Sequence, residues 1–229
     1  MASRVLRVGV AVMLAGSGAL MYAASWQRWA GACAWGEHEG ALCTTRQDHL
    51  YDFLPPMAPW EPVGDAAQLA GWSLIVQALA FALLPWALTR RRPGPLSAVA
   101  QVGAVAATLA VGIVTLRSGV AGSVVEVSGF DLALYVWLLV PPILLVRWTT
   151  AARGWAIAAA VLLVLATPFV AAFSYALGSF DARPWWEAVS GVLTIASGLC
   201  LVGDAVFAGR PRGPEAATSE AETLSTAID

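Results

Sequence analysis

Residues 96–116 read LSAVAQVGAVAATLAVGIVTL, 21 positions with no charge and one strongly polar side chain, Gln101. About 20 such residues in a helix span the roughly 30 Å hydrocarbon core of a bilayer. A helix apolar on all faces belongs in lipid or in the core of a large protein. The pattern recurs on both sides of this stretch. Val8–Ser25, Ala66–Leu88, Phe130–Val146, Trp155–Gly178 and Ala188–Ala208 are the other apolar runs. The predicted fold is therefore all-α, a polytopic transmembrane helix bundle of six spans over residues 1–208. A tail at 209–229 follows, without aromatics and rich in Ala, Ser, Thr and Glu, which predicts disorder.

Composition agrees. Of 229 residues, 59% are hydrophobic and 12% charged, against about 45–50% and 25% in ordinary globular chains. So few charges cannot cover a water-facing surface.

Arginines set the expected orientation. With the N-terminus inside, Arg4, Arg7, Arg90, Arg91, Arg92, Arg147, Arg153, Arg210 and Arg212 are cytoplasmic. Only Arg28, Arg46, Arg117 and Arg183 lie outside, as the positive-inside rule requires. Both termini are then cytoplasmic in a multi-pass protein of the cell membrane. The first span has a second reading, as a signal peptide cleaved after Ala23-Ala24-Ser25, which leaves five spans. Asp131 and Glu187 fall at outer span ends and are assigned to the headgroup layer. Asp204 is expected to pair with Arg147 or Arg210 at the inner boundary.

Small residues at every fourth position predict close helix packing. They are Ala11, Ala15, Ala19 and Ala23; Ala100, Ala104, Thr108 and Gly112; and Ser190, Thr194 and Gly198. Gln77 and Gln101 are expected to hydrogen-bond across helices. Pro141, Pro142 and Pro168 each remove a backbone donor and free a carbonyl one turn back.

Several chemistries are excluded. The chain has no Lys, which removes Schiff-base chemistry. Its two His, His38 and His49, share one polar segment, so no histidine sits within a span to hold haem. There is no Cys-x-x-Cys and no phosphate-binding Gly-rich loop ending in Lys. Tyr51-Asp52 and Gly203-Asp204 fall on opposite sides of the bilayer, so their carboxylates cannot share a catalytic water.

The unusual residues gather in the outer loop 26–65. It contains both His, two of the three Cys, six acids and an aromatic, proline-rich stretch from Leu50 to Trp60. That stretch is read as ordered, lying on the membrane surface or capping the bundle. Cys33 and Cys43 face the oxidising side and are expected to form a disulfide. The alternative is a metal site that adds His38 and His49 to these thiols. Cys200 is expected to be a packed free thiol.

The expected function is non-enzymatic and needs no cofactor: an integral membrane accessory or scaffold subunit. Its loop would present Trp35, Glu37, Glu39, Asp48, Tyr51, Asp52, Phe53 and Trp60 to a partner protein or envelope component. Its partners are then the lipid bilayer and another membrane or envelope protein, with no nucleic acid. A small permease or exporter component for an apolar or lipid-like molecule is the first alternative. An outer-face metal-dependent or redox enzyme is the second. A reporter inserted in loop 26–65 should be active only on the extracytoplasmic side, and one at Arg90–Arg92 only in the cytosol. The opposite pattern in either fusion reverses the orientation.

Overall fold

A computed structural model describes residues 2–36, 39–89, 93–176 and 183–207. Among the described residues there are eight α-helices and no strand. They are α1 (Ala2–Trp29), α2 (Ala41–Gln47), α3 (Ala66–Thr89), α4 (Pro95–Ala121), α5 (Phe130–Thr149), α6 (Trp155–Leu165), α7 (Pro168–Ala176) and α8 (Trp186–Phe207). A 3-10 turn, His49–Tyr51, follows α2. Five helices, α1, α3, α4, α5 and α8, are long and apolar enough to cross a membrane. Their outward faces carry Val12, Leu79, Val99, Ile113, Ile143 and Leu199, all exposed. An apolar exterior of this extent suits lipid contact rather than water. The tail at 209–229 lies outside the described residues.

The expected span 155–178 is not one helix. It divides into α6 and α7 at Ala166-Thr167. Pro168 has no N–H to offer the Val164 carbonyl. The Thr167 hydroxyl donates to that oxygen instead, at 2.7 Å. Ser190 of α8 donates to the Ala166 carbonyl at 2.6 Å. The backbone groups at the break are thus met by side chains, as an apolar environment demands. Pro141 and Pro142 do not break α5, which runs unbroken through both.

The helices close a ring. α1 packs on α8 and α3, α3 on α4, α4 on α5, α5 on α6, and α6 on α8. The seam between α1 and α8 is the tightest. A Cβ on Gly198 would stand 2.8 Å from the Ala11 carbonyl, and one on Gly18 would strike the backbone of Gly191. The α1 stripe differs from the expected one, because Ala19 is exposed. The buried face is Val10, Leu14, Ser17, Met21, Ala24 and Arg28, which follows a three-four spacing. The α4 stripe holds: Ala104, Thr108 and Gly112 are buried, and Gly112 lies against Leu74 and the Gly71 carbonyl.

Several polar side chains in the bundle serve the backbone. Pro85 lies inside α3 and leaves the Phe81 carbonyl without its helical donor. Gln101 Nε2 reaches across from α4 to Phe81 O at 3.3 Å and to Ala82 O at 2.8 Å. Ser73 Oγ donates to Ser17 O at 2.8 Å, and Ser197 Oγ to Ala159 O at 2.9 Å. Cys200 is a free thiol packed beside the larger apolar cluster. Substituting Gly198→Leu should lower stability by about 1–3 kcal/mol through overpacking at the seam. Thermal unfolding in detergent measures it, and an unchanged midpoint contradicts this packing.

Candidate functional site

α1 ends in the sequence Trp26-Gln27-Arg28-Trp29, and its register turns Arg28 inward. The guanidinium is almost fully buried. Its Nη1 donates to Asp52 Oδ1 at 2.6 Å and lies 3.7 Å from Glu187 Oε1. Nε and Nη2 donate to the Arg46 carbonyl at 3.2 and 2.9 Å. The Trp29 ring lies beneath it, 4.4 Å from Cζ. Glu187, in the first turn of α8, also accepts from Trp29 Nε1 at 3.0 Å. One arginine therefore ties α1, the loop and α8 together. Glu187, at the start of α8, therefore turns its carboxylate to the bundle interior, where it is mostly buried.

The loop folds as a cap. The Glu61 amide donates to the Leu50 carbonyl at 2.8 Å, closing the stretch between them. Phe53 is 1% exposed and packs with Met21, Ala24, Leu74 and Trp137. Leu54 and Trp60 pack against the same cluster. Of the two expected placements of this stretch, the structure shows the capping one. Cys33 and Cys43 are joined in a disulfide. It packs with Trp29, Trp185 and Ala188. The Trp185 indole donates to the Cys33 carbonyl at 3.1 Å, which holds this residue at a φ of 66° that side chains rarely adopt.

The expected display residues are thus divided. Trp35 is exposed and leans on Trp185, 5.5 Å between rings. Glu39 and Asp48 are at or near the surface, and Asp48 Oδ1 caps the 3-10 turn by accepting from Leu50 N. Tyr51 lies under Arg46. Asp52 and Phe53 turn inward. Glu37 and His38 lie outside the described residues. His49 is exposed, with Nδ1 3.5 Å from Asp48 Oδ1. The bonded sulfurs of Cys33 and Cys43 cannot act as thiolate ligands, and among the described residues no three His, Cys, Asp or Glu side chains cluster as a metal site.

Below the cap lies a cavity of about 320 Å³. It runs along α1 from Arg28 to Leu14, a distance of about 21 Å at 1.5 Å per residue. Its walls are apolar for most of that length: Met21, Leu74, Phe81, Leu84, Trp137, Leu145 and Leu163. Polar groups gather at the capped end, where Arg28, Asp52, Trp186, Glu187 and Ser190 line it. The Trp186 indole nitrogen is buried and has no acceptor. Midway, Gln77, Thr108 and Thr167 add polar groups. Gln77, expected to bond across helices, is instead a wall residue. Trp137 and Leu138 also line the cavity, and Pro141 and Pro142 deprive their carbonyls of the usual amide donors.

A second ion pair closes the opposite end of the seam. Arg7 Nη1 meets Asp204 Oδ2 at 3.0 Å, both buried, and Arg7 Nε donates to the Ala87 carbonyl at 3.2 Å. This replaces the expected pairing of Asp204 with Arg147 or Arg210; Arg210 lies outside the described residues.

No family model, curated protein or solved structure matches the chain.

The Asp52 carboxyl is held above its ordinary value of 3.8. Burial raises it, and the neighbouring Arg28 charge only partly offsets that rise. The folded chain thus keeps a proton that the unfolded chain has released, over a window reaching upward from 3.8. Stability falls as pH rises through that window and returns on acidification. Thermal unfolding at a series of pH values should show this slope in the native chain and a flatter profile in Asp52→Asn. Equal slopes contradict it. Arg28→Met leaves two acids without their cation and should cost about 3 kcal/mol.

Proposed function

We propose that this chain is a non-enzymatic membrane permease or carrier component for a lipid-like molecule. One observation carries the reading: a mostly apolar cavity inside the helix ring, with its charged side chains gathered at one end. Such polarity matches an amphiphile, with its tail among the helices and its head beneath the cap. Ligand sites are commonly lined this way, by apolar walls with a few convergent polar groups. The buried Trp186 N–H without an acceptor is a polar group that a bound head would satisfy. The broken pair α6–α7 supports the same reading, since interrupted helices border binding sites in many carriers.

The reading uses the sequence-based topology. α6 and α7 together serve as a sixth crossing, both termini are cytoplasmic, and the disulfide-stapled cap lies outside. The capped end then meets the outer leaflet. An accessory subunit that docks a partner through its outer loop is the second reading. It is favoured by Trp35 and Met57, both more than half exposed on the loop.

Native mass spectrometry of gently solubilised protein should find one amphiphile per chain. Gln77→Trp, which fills the cavity, should remove it while leaving the fold intact by thermal unfolding. A native chain without bound amphiphile, recovered instead with a stoichiometric larger membrane complex, favours the docking reading.

A further inference from the structure

Resting on the carrier reading, we propose that the amphiphile has a cationic head, a long-chain ammonium whose charge sits against Asp52 and Glu187. Three charged side chains line the capped end of the cavity, and two of them are acids. With both ionised, Arg28 leaves one negative charge uncompensated at the end of an apolar slot.

The arginine has no place for an anion. Its N–H groups are directed at the Arg46 and Asp48 carbonyls and at Asp52. The Asp52 side chain keeps about a third of its surface open, so one face of the carboxylate remains for an incoming group. Among the described residues no basic side chain other than Arg28 lines the cavity. Arg183 lies outside it, over the Trp186 ring with 5.8 Å between Cζ and the centroid, and His49 is exposed and turned to Asp48.

One further observation concerns the head rather than the ion pair. The indole ring of Trp186 lines the same end of the cavity, and such rings attract ammonium groups through their faces. The Trp186 N–H, buried without an acceptor, would be met by an oxygen next to the charge.

The test uses the full chain in nanodiscs of uncharged, zwitterionic lipid at an alkaline pH where Asp52 is ionised. Binding of radiolabelled dodecyltrimethylammonium, dodecanol and dodecyl sulfate is compared, with empty nanodiscs and Gln77→Trp nanodiscs subtracted. The expected order is ammonium tightest by about tenfold or more over the alcohol, with the sulfate weakest, because a nearby unpaired charge is worth at least that much at a partly buried site. Asp52→Asn and Glu187→Gln should each erase most of that preference of ammonium over alcohol. Saturable dodecanol binding with no ammonium preference in the native chain overturns the cationic head and leaves the carrier reading standing. No saturable binding of any of the three overturns both. The native selectivity decides the matter even if either variant fails to fold.

Discussion

The Arg28 guanidinium is the interaction on which the outer half of the molecule depends. It is a permanent cation placed where water is scarce, so its charge must be met from within the protein. Asp52 and Glu187 meet it from two other segments, and the Arg46 carbonyl takes its remaining donors. That single group fixes the end of α1, the start of α8 and the path of the loop. Phe53 can then drop into the bundle, because the residue before it is anchored. Without the ion cluster, the cap would be left with the disulfide, the Trp185 bond to the Cys33 carbonyl and its apolar contacts to keep it over the cavity.

At the other end the same two helices are joined by Arg7 and Asp204. Between the two pairs, glycines bring the backbones of α1 and α8 together. The seam therefore has charge at both ends and van der Waals contact along its length. This suits lipid, where apolar surfaces gain nothing from leaving water and close packing must supply the attraction. It also explains why a cavity persists across the ring. α1 and α8 approach too tightly to fill it, and α5 with α7 stands on the far side.

Much of the fold is legible in the sequence because it depends on local signals. Long apolar runs give five of the helices, and the oxidising-side pair Cys33 and Cys43 gives the disulfide. Pro168 marks the interruption of the fifth apolar run, although the length of that run conceals how complete the break is. The site was less legible. Glu187 and Asp204 read as boundary acids because hydropathy locates a residue by depth and not by the direction it faces. Arg7 and Arg28 read as topology markers for the same reason. Their partners on α8 lie more than 150 residues away, and only the packing of α1 on α8 brings them together. A signal was nevertheless present: α1 has an arginine near each end and α8 an acid near each end. Antiparallel packing of these two helices pairs them.

The break between α6 and α7 has a mechanical consequence. A continuous helix resists bending because each turn is tied to the next by amides along its axis. At Ala166-Thr167 two of those ties are hydroxyl bonds, one from within the turn and one from α8. Side-chain bonds re-form at new angles more readily than a backbone ladder does. The angle between α6 and α7 therefore depends on two side chains, Thr167 and Ser190, besides the backbone bonds that remain, so a substitution at either would re-aim α7 without unwinding it.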